Sequence, residues 1–434
     1  MFERATTRRR FLAGAVGTAA ALSLRPLGGG PGEIALAAAP PSTFPGTSPN
    51  THLAWVWQFN QDGEPEKIRD TLAAHHLGIA IKTHDGVQWM SRYDTSRNAI
   101  TGPEQIGKLA SFFEAGGVPF HAWCVVKGSD ARLEASMAAS VLQAGARSLS
   151  IDLESYPGFW TGNTFAAMQY TGLLRTAQPD AQVMITMDAR PWEIDRIPLR
   201  EFAAAANALA PQVYWSDFGT AANIARYRQA GADPGPGGVT PTFALDTAAR
   251  KLAGFGLPIH PIGPGLIADP NAWGQFITES YAREAETLSV WRFGTTPPGV
   301  FEMLKANPPR PRSYVVQAGD TAGRLALLWG TSVEEIGRAN GLTNVNLLVA
   351  GQTIAIPRGP FVPATIPPSA LPVASAAAAA AVVVAPPPTT YVVQPGDSAW
   401  SLASRWNTTP ARIAQVNGLA DASVIVVGQR LRIP

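Results

Sequence analysis

The chain has 434 residues, 46% of them hydrophobic, which is enough for two or three domains with a sizeable core. Lys and Arg number 34 against 32 Asp and Glu, a net charge of +2, so the charge balance gives no support for nucleic acid or another polyanion as partner. The single cysteine, Cys124, excludes an intramolecular disulfide, and its setting in the apolar run "FHAWCVV" reads as a buried thiol rather than a nucleophile.

The N-terminus reads as a targeting segment. "TTRRRFLAGAVGTAAALSL" is basic and then moderately apolar, and Thr7-Arg8-Arg9-Arg10-Phe11-Leu12 resembles a twin-arginine export signal. Small residues near Ala37 and Ala39 offer cleavage sites, so residues 1–39 are assigned to a signal peptide and the chain is expected to be secreted or wall-associated. The alternative, an uncleaved anchor, has only the run from Phe11 to Leu24, which is short for a bilayer span.

From about Asn50 to Lys305, apolar strand-like runs alternate with helical ones. The strand candidates are 53–59, 78–82, 119–126, 148–153, 182–187, 209–214, 259–262 and 288–293. Between them "PEKIRDTLAAHHLG" and "PEQIGKLASFFEAGG" open on proline and stop at glycine, as helices do. This α/β alternation predicts a (β/α)8 TIM-like barrel over residues 40–307, with a doubly wound open sheet as the alternative. No GxGxxG or GxxxxGK[ST] opens any helix, so no nucleotide is expected. A serine triad lacks its GxSxG elbow and a zinc site lacks HExxH; no metal and no other cofactor is expected.

A barrel builds its site at the C-terminal ends of its strands. Here those ends carry Gln58 and Asn60; Lys82, His84 and Asp85; His121 and Trp123; Asp152 and Glu154; Asp188 and Arg190; Gln212 and Tyr214; Trp291 and Arg292. Aromatic rings cover sugar faces, amides bind hydroxyls and carboxyls move protons, so the set suits a sugar-cleaving cleft. Asp152 and Glu154 in "SLSIDLESY" are two apart and point the same way on a strand. Two close carboxyls push their proton affinities apart, leaving one ionised and one protonated. Glu154, nearer the mouth, is the better placed acid. Taken alone, the segment equally allows two polar residues that only satisfy backbone and loops.

The last part of the chain repeats itself. Residues 314–357, "YVVQAGDTAGRLALLWGTSVEEIGRANGL…VAGQTIAIP", align without a gap on 391–434, "YVVQPGDSAWSLASRWNTTPARIAQVNGL…VVGQRLRIP". Each copy reads as strand, helix, helix, strand: a small α+β (βααβ) unit. Leu325 and Trp329, like Leu402 and Trp406, are four apart on one helix face. Between the copies, a Pro/Ala-rich stretch over 358–390 marks a linker.

Both copies, 313–357 and 390–434, resemble the LysM domain through the frame "YVVQxGD…NGL…GQxLxIP". The resemblance implies a peptidoglycan or chitin-type glycan polymer as partner. It also implies sugar contacts near Gly319, Asp320 and Thr321 with Asn344 to Leu348, and near Gly396, Asp397 and Ser398 with Ala422 to Ile425. The same Gly and Asp are also turn formers. A tethered pair of such modules gains avidity on a polymer. A monomer is expected.

"IAIKTHDG", "FHAW", "SIDLE" and "SVWRF" together resemble the strand landmarks of glycoside hydrolase family 25, the barrel lysozymes. The resemblance implies Glu154 as catalytic acid and Asp152 as its partner; Tyr214, Asp188 and Asp85 at the same mouth are expected to position the sugar. Gln58, Lys82, His121, Trp123 and Trp291 then line its path. The chain departs from that family at the first strand, where Gln58 and Asn60 stand in place of its acid and Asp62 is the next acid along. Family 18 chitinases also end their fourth strand in "DxE" and use a sixth-strand tyrosine, which "QVYW" supplies as Tyr214, but the longer family 18 signature is absent. The sequence thus predicts an exported cell-wall glycan hydrolase of muramidase or glucosaminidase type; the rival reading is a non-catalytic glycan-binding protein with a degenerate barrel.

Overall fold

The computed structural model describes residues 51–266, 269–317, 319–329, 331–345 and 347–357, and further on 389–394, 402, 406, 408, 410–419, 425–426 and 428–433. The expected signal segment, nearly all of the linker, and Gly396, Asp397 and Ser398 lie outside the described residues.

Eight parallel strands form a closed barrel. They are β1 (Leu53–Val56), β2 (Gly78–Asp85), β3 (Phe120–Val125), β4 (Ser148–Asp152), β5 (Gln182–Asp188), β6 (Ala208–Gln212), β7 (Ile262–Pro264) and β8 (Ser289–Trp291). Each pairs with the next in parallel, and β1 pairs with both β2 and β8, closing the ring. A two-residue strand, Gln88–Trp89, folds back antiparallel on the end of β2. β3 and β4 are buried along their whole length, because helices cover one face and the barrel interior takes the other. That is why these strands read as apolar runs and not as alternating patterns.

The intervening helices are set by local chemistry. Helices Pro65–Ala74 and Pro103–Ala115 start with proline, whose missing N–H costs nothing in the first turn. Helices Ala131–Gln143 and Thr164–Ala177 are capped by Asp130 and Asn163, whose side chains accept from Leu133 N at 3.0 Å and Ala166 N at 2.9 Å. Trp273, Tyr170, Tyr227, Phe113, Phe120, Phe202 and Phe276 are fully buried between helices and strands. Each contributes about 2–3 kcal/mol of burial free energy.

Three strands differ from the predicted bounds by three residues at one end, each for a physical reason, and the others by one or two. β1 stops at Val56 because Asp62 accepts from Trp57 N at 2.6 Å and Gln58 N at 3.3 Å and turns the chain into a short helix, Phe59–Asp62. β2 runs on through Asp85 because a bulge between Lys82 and His84 keeps the polar "THD" paired with β3. β7 begins at Ile262, since Pro258 and Pro261 have no N–H to give; Ile259 keeps only an isolated bridge to Leu209.

The C-terminal units are built as the repeat predicts. In the first, Ser313–Val315 pairs antiparallel with Thr353–Ala355 around helices Ala322–Trp329 and Val333–Ala339. In the second, Thr389–Val392 pairs with Arg430–Ile433, with helix Pro410–Asn417 between them. The two small cores use matching positions: Val316, Leu325, Ile336, Ile354 and Ile356 in one; Val393, Leu402, Ile413, Leu431 and Ile433 in the other. Tyr314 meets Trp329, and Tyr391 meets Trp406, at the same 4.8 Å and 62°.

The junction to the first unit lies against the barrel. Asn307 O lies 2.8 Å from His52 Nε2 and accepts from Tyr281 Oη at 2.9 Å, Pro308 O accepts from Tyr281 Oη at 2.7 Å, and Arg310 N donates to Glu286 O at 2.8 Å. His52 and Glu286 precede β1 and β8, so this anchorage is at the N-terminal end of the strands, opposite the mouth.

Candidate functional site

The mouth of the barrel is organised by Gln212, the last residue of β6. Its Nε2 donates to Asp152 Oδ1 at 2.9 Å and to Glu154 Oε1 at 2.8 Å. One amide group therefore spends both N–H bonds on the two carboxyls singled out from "SIDLE". Asp152 is buried and Glu154 half-buried. Burial raises the Asp152 carboxyl to about 7, against the pull of Lys82, Glu154 and Gln212. Glu154 is raised well above its usual value by burial first, then by the charges of Asp152 and Asp188, and its carboxyl hydrogen-bonds Asp152. The result is a coupled pair in which both carboxyls hold a proton more readily than free ones do.

Beside the pair lies a cationic corner. Lys82 Nζ donates to Asp85 Oδ2 at 2.6 Å, and Lys127 Nζ pairs with Asp85 Oδ1 at 2.5 Å. Burial opposes the Asp85 charge, but the two lysines outweigh it and hold its carboxyl below the usual range. Lys82 Nζ also sits 5.0 Å from the centre of the Trp123 ring. Trp55, Trp123 and Trp291 form a triangle, with ring centres 5.4 Å apart for Trp55–Trp123 and Trp123–Trp291 and 6.3 Å for Trp55–Trp291. Trp55 and Trp123 are buried, and Trp291 is half-buried. The Trp291–Arg292 peptide is cis.

Across the mouth, Asp188 is held by Arg190. Arg190 Nη2 reaches Asp188 Oδ2 at 2.7 Å, Arg190 N reaches Oδ1 at 2.8 Å, and Tyr156 Oη donates to Oδ2 at 2.6 Å. Arg190 also donates to Asn223 Oδ1 at 3.0 Å and to Tyr156 Oη. Tyr214 is buried just past β6. Its phenol is kept protonated by burial and by the carboxyls of Glu154, Asp152, Asp217 and Asp188. Asp217, in the short helix Trp215–Phe218, is a further carboxyl there, pushed up to about 7 by burial, with Ser216 Oγ at 3.3 Å.

Asp152, Glu154, Tyr214, Asp188, Asp85, Lys82, Trp123 and Trp291 thus come together at one end of the barrel. His121 does not. Its Nδ1 bonds Ser148 Oγ at 2.7 Å, four residues below Asp152 on β4, deep in the barrel. Burial holds its imidazole at about 3, hence neutral. Asp62 is also away from the pair: it is buried, pairs with Arg292 at 2.5 Å, and accepts from Gly294 N at 3.0 Å. Gln58 is buried at the start of that turn. Gln212 and Arg190 stood among the strand-end residues without a role, and Lys127, Tyr156 and Asp217 gave no signal, because they follow the strands on loops or a short helix. Among the described residues, no group of three His, Cys, Asp or Glu is arranged to hold a metal ion.

In the first C-terminal unit, Gly319, Asp320 and Thr321 form the strand–helix turn. Gly319 has φ 88°, Asp320 Oδ2 accepts from Tyr314 Oη at 2.8 Å and Gln317 N at 2.7 Å, and Thr321 Oγ1 accepts from Arg324 N at 3.2 Å. Nearby, Leu347 and Val349 are exposed.

Comparison with known proteins agrees with this division. Residues 314–357 and 391–434 match the LysM domain, and the C-terminus consists of two such domains. Over 121 residues, 28% of this chain, the sequence is 37% identical to "N-acetylmuramoyl-L-alanine amidase sle1" of Staphylococcus saprophyticus, covering 33% of that protein. Over 121 residues it is 30% identical to "Autolysin" of Enterococcus faecalis, covering 14% of that protein. The chain thus spans a third or less of the length of these relatives. Among solved structures, the catalytic domain of a chitinase from Pyrococcus furiosus aligns with TM-score 0.40 and 11% identity over 59% of this chain and 94% of that one. The spore cortex-lytic enzyme SleL of Bacillus megaterium aligns with TM-score 0.37 and 10% identity over 60% of this chain and 75% of that one.

Proposed function

We propose that the barrel hydrolyses a glycosidic bond in an N-acetylated wall glycan, peptidoglycan before chitin, while the two LysM domains hold the chain on that polymer. The observation that carries this reading is the Gln212 amide bound to both Asp152 and Glu154 at the mouth, at 2.9 and 2.8 Å. Glu154, kept protonated by burial and by neighbouring negative charge, donates its proton to the leaving oxygen. Asp152 orients the acetamido group or the attacking water, and the negative charge left when the proton departs stays on Glu154, where the Gln212 amide donates to it. Gln212 holds the two carboxyls in register, and Tyr214, a neutral phenol, donates a hydrogen bond to the sugar. Asp85 and Asp188, tied to Lys82 and Arg190, shape the cleft rather than move protons. Trp291, half-buried at the mouth, packs against a sugar face.

The names of the relatives, a cell-wall amidase and an autolysin, support the wall as the place of action. The N-terminal "TTRRRFL" supports export, by a twin-arginine route, and a monomer is sufficient for every contact described. The second reading, a wall-binding protein without chemistry, is favoured by Asp62: the first acid after β1 is locked in a buried ion pair with Arg292. Digestion of insoluble peptidoglycan and of chitin, read by mass spectrometry, separates the two. Soluble fragments are expected from the wild type and a loss of at least ~100-fold from Glu154→Gln. Equal release from both proteins would sink Glu154 as the acid, and binding without release from either would leave the wall-binding reading.

A further inference from the structure

Burial raises the proton affinity of both Asp152 and Glu154, so burial alone does not decide which keeps the proton. The asymmetry lies on β2. On a regular strand, residues three apart face opposite sides. The bulge between Lys82 and His84 brings Lys82 and Asp85 together, with Nζ 2.6 Å from Oδ2. Asp85, Val125 and Asp152 share one rung across β2, β3 and β4, so the ion pair stands at the level of Asp152. Trp123 flanks the ammonium at 5.0 Å and is itself fixed by Nε1 donating to Val56 O at 3.0 Å. Lys82 is only 6% exposed, so its charge acts with little screening.

We infer that Lys82 is a positioning residue that assigns the proton within the pair: it favours the carboxylate on Asp152 and so leaves the proton on Glu154. This rests on the reading of the pair as the catalytic acid and its partner. The groups facing the pair fit it. Lys82 and Asp85 come from β2, Asp188 from β5, Gln212 from the end of β6 and Tyr214 from just past it. Tyr214 is neutral, held up by burial first and then by the neighbouring carboxyls. Next to burial, Lys82 is the strongest influence on Asp152, and it acts in the opposite direction. For Glu154 the leading influences after burial are Asp152 and Asp188, and both favour its proton. Asp85 cancels part of the Lys82 charge and is itself shared with Lys127.

Two substitutions with opposite signs test this. In the full chain, carboxyl carbons of Asp and Glu are titrated by 13C NMR without substrate, with Asp152→Asn and Glu154→Gln assigning the pair. Lys82→Met is expected to move the first ionisation of the pair to higher pH by about one unit. Asp85→Asn, which releases Lys82 from its partner, is expected to move it to lower pH. A mere packing disturbance has no reason to give opposite shifts. No shift in either variant, or shifts of one sign in both, overturns the inference. If Lys82→Met does not fold, a downward shift in Asp85→Asn supports it and any other result overturns it. Because the titration needs no turnover, the two ideas fail separately. Opposite shifts with no product release sink the hydrolase and keep the hold of Lys82 on the pair; product release with flat titrations does the reverse.

Discussion

Asp152 carries its carboxyl into a buried rung of β4, and that placement has a thermodynamic consequence. Its proton affinity rises from 3.8 to about 7 on folding, with burial as the main cause. An acid raised in this way stabilises the folded chain while protonated. Its contribution is complete below the unfolded value, about pH 4, and is lost as pH rises through the folded one. Full ionisation costs on the order of 4 kcal/mol of stability. Thermal melts followed by circular dichroism are expected to show the barrel losing stability from pH 5 to pH 8, and losing clearly less of it in Asp152→Asn. An equal loss in both proteins would remove Asp152 as the source. Asp85 works the other way: lysine pairing lowers its carboxyl, so its contribution is present above about pH 4 and disappears on acidification. The pair itself was legible in "SIDLE", since two acids two apart at the end of an apolar run share a face. Gln212 as the bridge was not, because its partners lie 60 and 58 residues away. Nothing local to "QVYW" names them.

The bulge of β2 is the clearest case of an element that local pattern misreads. "THD" has the composition of a loop, yet it stays paired to β3 and turns Lys82 and Asp85 toward each other. In the LysM domains the repeat hides a second device. Asn340 Nδ2 donates to Ile336 O at 2.8 Å and Ala355 O at 2.7 Å, while its Oδ1 accepts from Ala355 N at 2.7 Å. Asn417 does the same with Ile413 O, Arg432 O and Arg432 N, all at 2.7 Å. The "NGL" of each copy is therefore a clamp from helix to closing strand as well as a helix stop. Asn340→Ala removes all three bonds and is expected to lower the opening free energy at the Ala355 amide by about 2 kcal/mol, read by native-state hydrogen exchange. Unchanged protection would show that the strand is held by its apolar residues alone.

Across the whole chain, the segment that leads into the first LysM domain and the mouth lie at opposite ends of the barrel strands. The segment leading into the first LysM domain is fixed to His52, Tyr281 and Glu286 at the N-terminal strand ends, whereas Asp152 and Gln212 end their strands at the other face. "NPPRPR", residues 307–312, is thus an anchored strap. If both LysM domains grip one polymer, deleting residues 389–434 is expected to weaken retention on insoluble peptidoglycan at least ~10-fold in a pull-down series. Retention equal to that of the full chain would assign all binding to the remaining part. By itself the sequence determined the elements and their order: eight apolar runs with helices between them, and two copies of a βααβ unit with matching cores. Those features depend on periodicity, caps and turns, which act over a few residues. Only the tertiary structure decided which side chains meet. It set Asp62 into an ion pair with Arg292, His121 into the depth of the barrel, and Gln212 onto Asp152 and Glu154. Such meetings depend on barrel closure, strand register and a single bulge, and these arise from pairing between segments far apart in the chain.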